Sequence, residues 1–247
     1  MAKVNVDIEY IKEKLELIGY KINECNQKEN NGIVWQIKFY NSDAIVNIYD
    51  TNKKNTVING KPEEGEKEKL KAIVDSLKSK DFFIEDMNNE IVKLIDLKKE
   101  GTYWDYKEEW HSQSDNLLHD ILCLSNNTEN REAYLIIGVA NDGTVVGSDH
   151  KIKSNDIYDL LKSKKYAGDH MPEIEIKSMY YKYHGIDVLV CKSSKYVPFF
   201  LIERSGAVCD YQIYTRVGDT NTAKNRNASY SDMEKLWRVH FERENEE

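Results

Sequence analysis

Proline and glycine are scarce in this chain of 247 residues, with three and twelve copies. A flexible linker of Gly, Ser or Pro composition is therefore absent, and neither an internal repeat nor a low-complexity tract breaks the chain. The four cysteines, Cys25, Cys123, Cys191 and Cys209, are scattered. Without a CxxC pair or histidines at ligand spacing they make no zinc site, and Cys123 and Cys191, set in apolar runs, read as buried thiols. The longest apolar runs, "YLIIGVA" and "IDVLV", are strand-sized, far short of the roughly 20 residues of a membrane helix. The opening "MAKVNVDIEYIKEKLELIGY" mixes charge with helical periodicity and does not resemble a secretory signal, so a cytoplasmic protein without membrane association is expected. GxGxxG, GxxxxGK, HExxH and GxSxG are all missing, which argues against dinucleotide enzymes, P-loop motors, zinc hydrolases and α/β-hydrolases. Positive charge is also in short supply. A net charge of −8 excludes a generally basic coat, so any polyanion site must be a local patch.

What is present is an ordinary globular composition, 40% hydrophobic and 32% charged, in a chain long enough for two domains of about 100 to 150 residues each. "DIEYIKEKLELIGYKI" spaces Ile8, Ile11, Leu15 and Ile18 as an amphipathic helix. Three strand-like pieces follow, "IVWQIKFY", "AIVNIYDT" and "NTVING", separated by the polar turns "NSD" and "NKKN". "EEGEKEKLKAIVDSLKSK" returns to helix. This predicts a small α-β-β-β-α unit over residues 1–92, and "IVKLIDLKKEG" reads as its connector.

The remainder, residues 93–247, predicts an α+β domain with a mixed sheet. "TYWDYK" alternates as a strand, with Trp104 and Tyr106 on one face and Tyr103, Asp105 and Lys107 on the other. "SDNLLHDILCLSNN" is a helix. "AYLIIGVA" and "TVVGSD" are strands about an "NDG" turn, in which Asp142 and Gly143 are turn formers by their own chemistry. "SNDIYDLLKSK" is a helix, "EIEIKSMYYKYHGIDVLVCKSS" a hairpin turning at His184 and Gly185, "PFFLIE" and "YQIYTRVGDT" short strands, and "SDMEKLWRVHFERE" a closing helix.

An acid and a lysine two apart on one strand face, Asp105 and Lys107, suit a divalent cation with a phosphate beside it. The same pair would serve as a surface salt bridge on an exposed sheet. Glu100 lies five residues earlier, before Gly101, where the chain can fold back toward the strand. On its own it reads as a solvated end to the "KKE" run.

Taken in order, "EGTYWDYKEEW", the helix ending "LSNN", "AYLIIGVANDGTVVG" and "YTRVGDTNTAKN" resemble the Schlafen AlbA_2 domain family over roughly residues 93 to 245. The resemblance implies binding of nucleic acid, with RNA the expected partner. Some relatives, the animal Schlafen proteins, are metal-dependent endoribonucleases acting on transfer and ribosomal RNA through three carboxylates. Carried over, the first two fall on Glu100 and Asp105, and the third falls in the "ANDG" turn on Asp142. These three would hold Mg²⁺ or Mn²⁺ and carry catalysis, with Lys107 beside the second acid. Asp105 stands where Glu is commoner, and Asn141 where many members have another acid; both changes bear on catalysis more than on binding. A phosphate track is expected on Lys107, Arg216, Lys224 and Arg226, supported by Lys162, Lys164 and Lys165 near Tyr166.

The resemblance thus implies a tRNA-cleaving or structured-RNA-cleaving enzyme in a phage-defence or toxin setting. The alternatives are a catalytically inactive nucleic-acid-binding or regulatory module, and a protein-contact subunit of a defence complex. The animal proteins join two such lobes where this chain has one, so a homodimer is expected. "AIVNIYDTNKKNTVING" with its following helix is similar to the TATA-binding-protein-like units of some ribonucleases and toxins, which implies docking or dimerisation.

Overall fold

The computed structural model describes residues 6–29, 33–49, 56–80, 84, 87–148 and 153–244. The "NKKN" turn lies outside them. The fold is α+β, and the chain divides into two compact units, one of residues 1–93 with 179–184 and one of residues 94–178 with 185–247.

In the first unit α1 (Ile8–Leu17) is started by Asp7, whose carboxylate accepts from the Tyr10 amide at 3.1 Å, and it buries Ile8, Ile11 and Leu15. Four strands follow, β1 (Ile22–Glu29), β2 (Ile33–Phe39), β3 (Ala44–Tyr49) and β4 (Val57–Gly60), in an antiparallel sheet of order β1-β2-β3-β4. The sequence predicts three of these. The additional strand, β1, is an edge strand whose "INECNQKE" is mostly exposed, so no apolar alternation marks it. Helix α2 (Glu66–Ser79) adds Leu70, Ile73, Val74 and Leu77 to the core on α1 and the sheet. Within this unit, Asn88 ties Leu17 to Tyr180 by donating to both carbonyls, at 2.8 and 3.0 Å.

The second unit holds β5 (Trp104–Lys107), α4 (Ser114–Ser125), β6 (Ala133–Ile137), α5 (Ser154–Lys162), β7 (Ile174–Tyr181), β8 (His184–Cys191) and α6 (Tyr230–Glu244); α3 (Asn88–Asp96) precedes it and crosses the unit boundary, and the tip of β7-β8 counts with the first unit. The sheet order is β5-β6-β8-β7, mixed because β5 and β6 run parallel while β6 and β8 run antiparallel. A parallel pair needs a crossover, and α4 supplies it. Its Leu118, Ile121 and Leu122 pack with Leu135, Ile137 and Leu189 of the sheet in one apolar core.

Several expected strands shrink. After the "NDG" turn only Val145 bridges back, to Val139. From "PFFLIE" only Leu201 makes a bridge, to Tyr166, and "YQIYTRVGDT" forms the two-residue strands β9 (Arg216–Val217) and β10 (Thr220–Asn221). In these stretches apolar residues are buried by packing rather than by a ladder, a distinction that hydrophobicity does not carry. The hairpin turns at Lys182 and Tyr183, two residues earlier than expected, with Lys182 at a φ of 51°. Among the described residues no helix is long and apolar enough to cross a membrane.

Candidate functional site

The site is built outward from a turn. Gly101 donates its amide to the Trp104 carbonyl at 3.2 Å, and the Trp104 indole donates to Lys99 O at 2.9 Å. This folds residue 100 back over β5. A Cβ on Gly101 would lie 2.1 Å from the Trp104 ring, so the turn closes tightly only with glycine. Glu100 Oε1 then accepts from the Tyr106 amide at 3.4 Å, and its carboxylate reaches the Asp105 side chain.

Arg216 joins the two acids. Its Nη2 lies 2.6 Å from Glu100 Oε2 and 3.3 Å from Asp105 Oδ1, Nε donates to Gly101 O at 2.7 Å, and Nη1 donates to Asn221 Oδ1 at 2.8 Å. Arg216 is 2% exposed and Asp105 is 1% exposed, so the pair is interior rather than the surface bridge that strand alternation allowed. Lys107 covers the other oxygen, with Nζ 2.5 Å from Asp105 Oδ2, and also donates to Tyr106 O at 3.1 Å. Burial, and then the Asp105 charge, raise the pKa of Glu100 even though Arg216 pulls it down.

A third carboxylate enters from α4. Asp120 lies 3.8 Å from Lys107 Nζ, 2.7 Å from His111 Nε2 and 3.7 Å from His119 Nδ1, and it accepts from Asn221 Nδ2 at 2.9 Å. Burial alone would raise its pKa, but the hydrogen bond to His111, the neighbouring His119 ring and the Lys107 charge together hold it well below the usual carboxylate range. His119 Nε2 stands 2.8 Å from Thr222 O, and since a carbonyl only accepts, that nitrogen carries the proton. Acids and bases therefore alternate through the interior: Glu100, Arg216, Asp105, Lys107, Asp120, His111.

The structure brings together Glu100, Asp105, Lys107 and Arg216 of the expected site residues. Asp142 stands in a different chemical setting. It is fully exposed, its Oδ1 accepts from the Thr144 amide at 2.8 Å, and that bond lowers its pKa. The turn carrying it is held by Gly138, whose amide donates to Lys107 O at 2.8 Å and whose carbonyl accepts from Val146 and Gly147. Among the other cations, Lys224 bonds Asn116 Oδ1, Arg226 and Lys162 are exposed, and Lys164 is half-buried. Lys165 is 2.6 Å from Glu203, and Lys164 and Lys165 line a polar hollow with Ser163, Glu203, Arg204 and Ser205. Tyr166 is buried and offers no ring for stacking.

The donor set does not fit Mg²⁺ or Mn²⁺ as it stands. Asp105 faces Arg216 with one oxygen and Lys107 with the other, and Glu100 faces Arg216, so the charge a hard cation would neutralise is already neutralised. Among the described residues, no group of three or more His, Cys, Asp or Glu side chains is arranged to hold a metal ion.

Asp120, His111, His119 and Asn221 were not expected from the sequence. A signal was available in "LLHDILCL": α4 is buried nearly all round, so the polar His119 and Asp120 inside it require partners. The helix ending "LSNN" also has a physical role. Asn126, buried at the end of α4, donates to Phe199 O and Tyr214 O at 2.8 and 2.9 Å and accepts from the Phe199 amide at 2.7 Å, which seats the segment leading to Arg216.

A family model described as Schlafen, AlbA_2 matches residues 100–225, a little more than half of the chain and all of the charged network just described. No curated protein matches the chain.

Proposed function

The chain belongs to the Schlafen AlbA_2 family, a family with a nucleic-acid-related function, and on that premise we propose that it binds RNA through the backbone, with Lys107 at the centre of the contact. The observation that carries this is how Lys107 is held. Its ammonium has three N–H groups; two are used on Asp105 Oδ2 and Tyr106 O, Asp120 at 3.8 Å is beyond hydrogen-bond range, and the side chain is 27% exposed. One N–H is left on a preorganised, partly solvated cation, which is what a phosphate oxygen needs. Lys224, Arg226, Lys162 and Lys164 extend the track. Arg216 acts differently from the sequence expectation, bracing the acids from inside rather than touching phosphate.

Fluorescence anisotropy with labelled tRNA tests this reading. Lys107→Ala is expected to weaken binding roughly 3- to 10-fold and to make it less salt-dependent by about one phosphate contact. Unchanged affinity in Lys107→Ala and in a Lys224→Ala, Arg226→Ala variant would sink it.

A metal-dependent endoribonuclease is the second reading. It is favoured by one observation: Glu100 and Asp105 converge, and burial, then the Asp105 charge, raise the proton affinity of Glu100. It requires cleavage of tRNA in Mn²⁺ that disappears in Glu100→Ala, Asp105→Ala. The RNA-binding reading requires equal retardation of tRNA by wild type and by that variant if the variant folds.

A further inference from the structure

We propose that His111, oriented by Asp120 and working beside Lys107, is a general base that cleaves RNA without a metal ion. The proposal rests on the reading of this unit as an RNA binder. His111 lies in the loop between β5 and α4, 19% exposed, with Nε2 2.7 Å from Asp120 Oδ2. An ionised carboxylate only accepts, so the proton of the neutral imidazole sits on Nε2 and the lone pair on Nδ1. Among the described residues Nδ1 has no hydrogen-bond partner, and it is not a buried unsatisfied atom. This leaves a basic nitrogen available to solvent or substrate on a ring whose tautomer is fixed from behind, the arrangement that general-base catalysis uses.

Lys107 reaches toward the same Asp120 oxygen, 3.8 Å from it, so its ammonium and the imidazole stand beside one carboxylate oxygen. The charged and titratable groups facing the pair are Asp120 and His119 from α4, Asp105 from β5, and Arg216 from β9, with Asn221 of β10 on the second Asp120 oxygen.

The chemistry needs no co-reactant. Nδ1 of His111 takes the proton of a ribose 2′-hydroxyl, and the 2′-oxygen forms a bond to the adjacent phosphorus. The bond from phosphorus to the 5′-oxygen then breaks, and that oxygen leaves with a proton from water while His111 returns its own to solvent. Lys107 donates to a non-bridging oxygen as its charge grows. The products are a 2′,3′-cyclic phosphate and a 5′-hydroxyl, and a DNA strand, lacking the 2′-hydroxyl, is inert.

The test uses the full chain with an end-labelled mixed-sequence RNA and its all-deoxy counterpart, in excess EDTA. The RNA is expected to be cut to cyclic-phosphate ends and the DNA to stay intact. His111→Ala should retain RNA binding but lose about 100-fold or more in cleavage rate, and imidazole in solution should restore part of it. Asp120 is a positioning residue, so Asp120→Asn, close to it in shape, should shift the pH profile of cleavage while leaving binding in place. Undiminished cleavage by His111→Ala, products with 3′-hydroxyl ends, or intact RNA with a wild type that binds it would each overturn the proposal. Loss of all RNA binding by the wild type would instead bring down the RNA-binding reading beneath it, and the two failures are told apart by the retardation assay.

Discussion

Arg216 sets the energetics of the site at the scale of single residues. Its guanidinium is interior and joins Glu100, Asp105, Gly101 and Asn221. Removing one partner of a buried charge network leaves the others uncompensated, so Arg216→Ala is expected to cost about 3–5 kcal/mol, read from urea unfolding. A loss below about 1 kcal/mol would show that water reaches these carboxylates. The acids titrate in opposite senses. Glu100, raised by burial and by Asp105, holds its proton more tightly folded than unfolded, so it lowers stability as pH rises from the unfolded value of about 4.3 through the folded one. Asp120 is depressed because His111, His119 and Lys107 outweigh its burial; its contribution is complete above the unfolded value of about 3.9 and is lost as pH falls through the folded one. Urea midpoints measured across this range should therefore show Glu100→Gln flattening the decline above about pH 4.3 and Asp120→Asn flattening the loss on the acid side. Wild-type pH dependence in both variants would contradict the arrangement of charges.

At the scale of elements, the turn after β6 depends on Gly138. Its φ is +96°, and a Cβ there would lie 2.7 Å from the Gly147 carbonyl carbon and 2.8 Å from the Ser148 amide, both backbone atoms that cannot swing aside. Gly138→Ala is expected to destabilise by roughly 1–3 kcal/mol and to weaken RNA binding through the Lys107 backbone it supports. Normal stability by urea with full binding would show that the turn relaxes at no cost. The same elements show what could be read in advance. Asp105 and Lys107 were legible as a pair because the two-residue period of a strand is local, whereas Glu100 on its own read as a solvated charge and joined them only through the family resemblance. Asp120 and His111 were not, since their meeting depends on how α4 crosses from β5 to β6. Arg216 was legible as part of a motif, but its burial follows from Asn126 and Asn221, which are ninety residues and five residues away. Strand β1 escaped because an exposed edge strand leaves no apolar alternation.

For the whole molecule, a net charge of −8 means that its overall field does not draw in a polyanion. Binding must then come from contacts within about 8 Å, the screening length at physiological salt. If Lys107, Lys162, Lys164, Lys224 and Arg226 each meet one phosphate of a single strand, the slope of log K against log salt should be about −3.5. The homodimer expected from the single lobe makes a different prediction. Two copies on one RNA would double the contacts and carry the slope to about −7. Anisotropy titrations over a range of salt, paired with light scattering of the same complex, separate the cases. A steep slope with a dimeric mass supports pairing, whereas a shallow slope with a monomeric mass, RNA present, removes the dimer and leaves one copy of the Lys107 site per RNA.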